Sequence, residues 1–574
     1  MAEIDGTDRY RPREVASRVC CRRANAERGQ AVTDIGTAPR TRTWVQNARA
    51  IARVVLARGT GAVLGLVIGV LLANRFGAGS AADAFFFARR LTTGATESLK
   101  QIVVFVYVPS LVANLRSRGG FETGRLWFWS MARGLAVAVL ATGLLTLVAP
   151  WLVSILAPGF DPARHELATL LLRILLVLIP AGLILAGIAS LLFASRTFGR
   201  AELAAIVPRL LVVVLLMFFI PPLGVSALCW ALSGGTLLAA LALIISQRRA
   251  LRGPALRSAV FAPNGPSVDI EPERPRARES LTGGRVLPLL VMNAFRVGAT
   301  WIDLAIASTL FVGAVSVLEY AHRLVYLASS VLAASVITVM YTEFAHEAAE
   351  ADVAGLRRRV AATQRAGLFL LLPFLAFLLV TADALVHALL LHGAFDAYAA
   401  ERTATVGRYY TLVFLTAYFV NTIVTGIYTD STAPRLRIVG WIAATGLATR
   451  LAAVFPLASA YDVVGIAMAD LLSSAVVLVL TVVLVGRHWG GLLEGSDLRA
   501  GAKMLLCALL AFGAMRAGLL ALPSGGTILV QLGTLAGLGL AGATVYLGAA
   551  AALGVPEIST LRAAVLLRRA KRSG

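Results

Sequence analysis

Charged residues are embedded in stretches that are otherwise apolar enough to cross a bilayer, and these are the residues with chemistry to offer. A stretch near 80–110 holds Arg89, Arg90, Glu97 and Lys100; one near 285–311 holds Asn293, Arg296 and Asp303; one near 315–343 holds Glu319, His322 and Arg323. A charge at the bilayer centre is costly unless it faces a partner or a water-filled cavity. Guanidinium groups present a planar fork of donors that fits phosphate oxygens. A wet cationic cavity built from these three stretches would attract a polyanionic head group such as a pyrophosphate. Structural alternatives compete with that reading. Arg89 and Arg90 could snorkel or pair with Glu97 or Asp83. Glu319 and Arg323, four apart, could pair on one helix face. Arg173, Arg209, Arg408, Arg450 and Asp470 are mostly single, and Arg209 and Arg450, near helix ends, are expected to be interfacial anchors.

No catalytic constellation accompanies these groups. The chain has no P-loop, no G-x-S-x-G and no H-E-x-x-H, and its six histidines are scattered. An enzyme is therefore not expected. Of the four cysteines, Cys20 and Cys21 lie in a polar tail and Cys229 and Cys507 suit helix packing, so neither a metal nor a disulfide framework is implied. No cofactor is expected; coupling to the membrane potential or to a monovalent cation stays open.

The elements that would carry these side chains follow from composition. The 574 residues are 58% hydrophobic and only 15% charged, with a mean hydropathy of +0.79, against about 45–50% apolar and 25% charged in soluble chains. Fourteen candidate transmembrane helices lie near 55–76, 80–110, 129–157, 166–194, 201–221, 224–246, 285–311, 315–343, 366–391, 405–428, 436–457, 461–485, 502–523 and 527–552. The net charge of +22 would suggest nucleic acid in a soluble chain. Here the arginines concentrate in alternate connections, about 22 Lys and Arg on one side against about three on the other (Arg75, Arg164, Arg402). The positive-inside rule then places both termini in the cytoplasm, and no nucleic-acid partner is implied.

The chain also repeats itself. Phe87-Ala88-Arg89-Arg90-Leu91 matches Tyr320-Ala321-His322-Arg323-Leu324 at an offset of 233, and Leu156–Asp161 matches Leu391–Asp396 at 235. The expected organisation is a disordered cytoplasmic tail (1–50), an N-terminal six-helix lobe (51–246), a cytoplasmic linker (247–284), a C-terminal six-helix lobe (285–485), two further helices (502–552) and a basic tail (553–574). An even number of helices per repeat inserts both copies in the same orientation, with the substrate site between them. Gly61, Gly65 and Gly69 form a small-residue stripe expected to pack closely against a neighbouring helix or to act as a flexing point.

Several motifs resemble those of the lipid II flippases, the MurJ or MviN family of the multidrug/oligosaccharidyl-lipid/polysaccharide exporter superfamily. They are Val63-Leu64-Gly65, the run Phe76-Gly77-Ala78-Gly79-Ser80-Ala81-Ala82-Asp83-Ala84-Phe85-Phe86, Ala157-Pro158-Gly159-Phe160, and Val315-Ser316 followed by Tyr320–Leu324. The resemblance implies a two-lobed fold with a central cavity, a groove for a polyprenyl tail beside the last two helices, and transfer of a lipid-linked precursor between leaflets of the bacterial inner membrane. It adds Ser316 to the cavity set Arg89, Arg90, Lys100, Arg296 and Arg323, and makes Asp83, Glu97, Asp303 and Glu319 candidate coupling or ion-pair acids. The chain departs from the family pattern at Ala62 and Ile68 in the first helix and at Thr96 and Glu97 in the second, where arginines are usual, and at His322 and Tyr326 in the eighth, where acids are usual.

The resulting expectation is a flippase for lipid II or a related undecaprenyl-pyrophosphate oligosaccharide. Its partners would be that glycolipid, membrane lipids and cell-wall synthesis proteins docking on the N-terminal tail. Two alternatives stand beside it: a drug or cation antiporter on the same fold, which needs embedded acids where this chain offers bases, and a non-transporting membrane scaffold of cell-wall synthesis.

Overall fold

A computed structural model describes residues 59–118, 120–194, 206–218, 224–251, 286–326, 353–430, 432–492, 494–521 and 527–558. The expected N-terminal tail, most of the 247–284 linker, the second half of the eighth span and the basic C-terminal tail lie outside them. The described residues form helices at all fourteen expected spans and contain no strand. They are α1 (Gly59–Phe76), α2 (Ser80–Arg118), α3 (Gly120–Leu156), α4 (Pro162–Leu175, continuing after a turn as Leu178–Ala194), α5 (Val207–Phe218), α6 (Ser226–Leu251), α7 (Val286–Thr309), α8 (314–326), α9 (Val353–Leu389) and α10 (Ala397–Thr429). A single run, Arg435–Trp489, supplies α11 (435–460) and α12 (463–489), and α13 (Gly495–Ala521) and α14 (Ile528–Ala552) complete the chain.

The fold consists of two six-helix lobes, α1–α6 and α7–α12, with α13 and α14 docked on α9. Apolar side chains drive little association between helices in lipid, so close backbone approach and polar contacts hold them together. Where α11 turns into α12, Asp462 has a φ of 52° and Gly465 lies so close to the Leu457 carbonyl that a Cβ would collide with it. Gly182 of α4 likewise faces Thr96 of α2 with no space for a side chain. On α13, Met504, Cys507, Ala511 and Met515 bury themselves against Phe369, Leu372 and Tyr546. Charge ties the same helices: Arg365 of α9 pairs with Asp497 of α13, and its Nε lies 3.3 Å from Glu557 beyond α14.

The turns α1–α2, α3–α4, α7–α8 and α9–α10 share one end of the bundle, termed here the junction face. The two lobes meet there through reciprocal contacts. The Gly159 N–H, after α3, donates to Ser308 Oγ at the end of α7 (3.2 Å), while the Ala394 N–H, after α9, donates to the Asn74 carbonyl at the end of α1 (2.9 Å). Gly77 and Gly393 adopt φ of 59° and 63° and sit against Ala394 and Asn74 respectively, positions that only glycine fits. Tyr320 of α8 donates to the Gly77 carbonyl at 3.0 Å and sets its ring edge-on to Phe86 of α2, with centroids 5.0 Å apart. The largest core runs through this seam, with Phe85, Phe86, Phe87, Leu171, Leu175 and Tyr320 all essentially buried.

Candidate functional site

Two charged clusters lie beneath the junction face. In the first, α2 and α8 each bring arginines to one carboxylate. Glu319 Oε1 accepts from Arg89 Nη1 at 3.4 Å and from Arg323 Nε at 3.2 Å, and Oε2 accepts from Arg90 Nη1 at 3.0 Å. The local Glu319–Arg323 pair is thus present. Arg89 and Arg90, however, pair across the lobes with Glu319 instead of with Glu97 or Asp83, because α2 and α8 cross at this level. Three guanidinium groups against one carboxylate leave a net charge of +2.

Aromatic rings frame this cluster. The Arg323 guanidinium lies 4.8 Å from the Phe86 ring centroid, and its Nη2 is buried without a hydrogen-bond partner. His322 stacks on Tyr326 and meets the edge of Tyr410. Arg90 Nη1 stands 3.4 Å from His322 Nδ1; since arginine only donates, that nitrogen is the imidazole's acceptor.

The remaining candidates spread along the cavity wall. Counting helix rise from the junction face, Arg89, Arg90 and Arg323 lie about 14 Å deep, Arg296 about 20 Å and Lys100 about 30 Å. Arg296 donates to Asn293 Oδ1 at 3.0 Å and stays within electrostatic reach of Arg90 and Glu97. Lys100 pairs with Glu97 at 2.8 Å. Ser316 stands apart from this ladder. It is fully buried in the junction face, where Asp83 Oδ1 accepts from its N–H at 2.8 Å and from its Oγ at 2.6 Å; Asp83 Oδ2 takes the Gly313 N–H at 2.6 Å. Among the described residues no cation forms an ion pair with Asp83, though Arg164 acts on it electrostatically. Asp83 caps the first turn of α8 instead.

Two arginines expected to be interfacial anchors are placed differently. Arg209 of α5 reaches across to α1, where a Cβ on Gly61 would run into its guanidinium, and it acts electrostatically on Arg89. Gly69 faces Arg323 at ordinary contact distance, with a Cβ 3.7 Å from its Cδ, and Gly65 faces open space. The glycine stripe therefore lies along two arginine side chains and at Gly61 makes room for a guanidinium, whereas close contact with a neighbouring helix was expected. Arg450 is 2% exposed and forms the second cluster with Asp303 and Asp470. A cavity of about 30 Å³ separates the clusters, walled by Arg90, Glu319 and His322 on one side and by Asp303 and Tyr410 on the other.

Paired six-helix lobes around an embedded polar cavity are a fold that this chain shares with solved membrane transporters. A solved lipid II flippase MurJ in an inward closed conformation superposes with a TM-score of 0.66 at 17% identity, covering 86% of this chain and 97% of that one. An inward-facing multidrug resistance MATE transporter of the MOP superfamily gives 0.58 at 16% identity, with coverages of 75% and 94%. The Vibrio cholerae MATE transporter VcmN in its bent form gives 0.52 at 11%, with coverages of 78% and 98%. The sequence is more specific than the fold, because the profile described as lipid II flippase MurJ matches residues 72–531. The chain belongs to the MurJ family.

Proposed function

We propose that this protein moves a polyprenyl-pyrophosphate glycolipid, lipid II or a close relative, from the inner to the outer leaflet of the bacterial cytoplasmic membrane by alternating access. The observation that carries the proposal is the convergence of Arg89, Arg90 and Arg323, from both lobes, on Glu319. A half-buried +2 cluster in which Arg323 Nη2 is a buried donor without a partner calls for an anion. A pyrophosphate offers several acceptors where Glu319 offers two, so it can draw the arginines from both lobes onto itself.

With both termini in the cytoplasm, the junction face lies outward and is sealed. The head group would enter from the cytoplasmic side past Lys100, Arg209 and Arg296. Rocking of the lobes would then open the contacts at Asp83, Ser316, Gly159 and Ser308. The open groove of about 440 Å³ between α12 and α13, lined by Val482, Val483, Gly486, Leu492 and Leu498 with Arg487 as its one charged residue, suits an isoprenoid tail outside the polar cavity. A cation antiporter needs free acids in the cavity, and here Glu319 and Asp303 are both taken up by arginines.

Complementation of a bacterial strain depleted of its lipid II flippase tests this proposal. Arg323→Ala should be present in the membrane at normal level and fail to support growth. Normal growth would remove Arg323 from the site.

A further inference from the structure

The second cluster contains two carboxylates and a fixed cation. Asp303 of α7 and Asp470 of α12 flank Arg450 of α11, three helices of one lobe, about 9–15 Å beneath the junction face by helix rise. Arg450 Nε donates to Asp303 Oδ1 at 2.8 Å and Nη2 to Oδ2 at 2.5 Å, a two-pronged pairing. The third nitrogen, Nη1, lies 2.8 Å from Asp470 Oδ1, an ion contact whose angle falls short of a hydrogen bond. The guanidinium is 2% exposed, whereas the Asp303 and Asp470 side chains keep 18% and 33% of their surface.

Two carboxylates this close in an apolar interior cannot both stay ionised without positive charge between them. A mobile monovalent cation or a proton would meet that need, and so does a tethered guanidinium. Here the guanidinium fills the position between the two acids, 2.5 Å from Asp303 and 2.8 Å from Asp470, so an ion could bridge them only by displacing a buried side chain. We infer that Asp303 and Asp470 form a monovalent-cation site whose permanent occupant is the Arg450 guanidinium, so that this lobe joins α7 to α11 and α12 without binding an ion from solution. The placement also separates charge across the 30 Å³ cavity: a net −1 triad on one wall faces the +2 cluster on the other. This inference is independent of which lipid the protein carries.

The test is the melting temperature of the full chain in lipid nanodiscs, measured in sodium, potassium and choline chloride at matched ionic strength. Wild type should melt at the same temperature in all three. Arg450→Ala should melt several degrees higher in sodium, or with low millimolar methylguanidinium, than in choline. Adding Asp303→Asn to Arg450→Ala should abolish that difference. The neutral triple Arg450→Leu/Asp303→Asn/Asp470→Asn serves as a folding control, since a buried ion cluster can be replaced by apolar and neutral groups without collapse; it should fold and ignore the salt. Sodium stabilisation of wild type that Asp303→Asn removes would overturn the inference. So would an Arg450→Ala protein indifferent to every cation, or one unfolded in every salt while the neutral triple folds. If the triple also fails to fold, the wild-type comparison decides alone.

Discussion

Asp83 and Ser316 stand 233 residues apart, the offset of the internal repeat, and they hydrogen-bond to each other at 2.6 Å. Equivalent positions of the two lobes therefore touch on the pseudo-two-fold axis. A self-contact of this kind needs no separate co-adaptation of distant surfaces. Asp83 also takes two backbone N–H groups of α8, so one carboxylate both caps a helix and fastens the lobes.

The fastening is testable. Asp83→Asn keeps the volume and loses the charged acceptor, at a cost of about 1–3 kcal/mol. The junction face should loosen, seen as a lower melting temperature and faster maleimide labelling of a Ser308→Cys reporter, which is 3% exposed in the closed form. Unchanged labelling would mean that the glycine contacts alone hold this face shut.

Glu319 holds the three arginines proposed to take the pyrophosphate. Glu319→Gln should bind undecaprenyl pyrophosphate about tenfold tighter, the scale of one charge-assisted contact, and transfer it more slowly because release is impaired. Equilibrium binding and vesicle transfer measured together check both halves. Weaker binding would show that Glu319 positions the arginines and does not compete for them.

The glycine face of α1 predicts a steric effect. Gly61→Leu would push aside Arg209, and Gly69→Leu would press on Arg323. Both should reduce transfer several-fold while leaving membrane abundance unchanged, and Arg209→Ala should reproduce the Gly61→Leu defect. If Gly65→Leu, which meets nothing within 4 Å, were equally harmful, lost helix flexibility would be the better account.

A pH effect is expected at the far end of the second lobe, where Asp430 follows α10. Burial alone would push its carboxyl up, but hydrogen bonds from Thr432, Trp489 and His488 outweigh it and hold the carboxyl below the ordinary aspartate value. A depressed folded value contributes stability above the unfolded value of about 3.9, lost as pH falls through the folded one. Wild type should therefore melt above Asp430→Asn at neutral pH, with the gap closing below about pH 4. A gap that persists in acid would place the stabilisation elsewhere.

Much of this architecture was legible in the sequence because its signals are local or repeated. Hydropathy located the spans, and a shared offset revealed the repeat that brings Asp83 to Ser316. The pair Glu319–Arg323 was visible as an i,i+4 spacing. Its capture of Arg89 and Arg90 was not, because those partners lie 230 and 229 residues away. Arg450 and Asp303 are 147 residues apart, so no local spacing showed that the candidate coupling acid pairs with an arginine expected to be an interfacial anchor. Arg209 had a faint signal in the glycine stripe of α1, which fits small residues beside a large side chain as well as it fits helix contact.

Transfer of fluorescent lipid II across vesicles, with wild type compared to Arg90→Ala/Arg323→Ala, tests the central claim most directly. The account predicts transfer by wild type, loss of nearly all of it in the double variant at equal reconstitution, and inhibition of wild type by undecaprenyl pyrophosphate. Transfer that survives without both arginines, or that ignores the pyrophosphate, would contradict it.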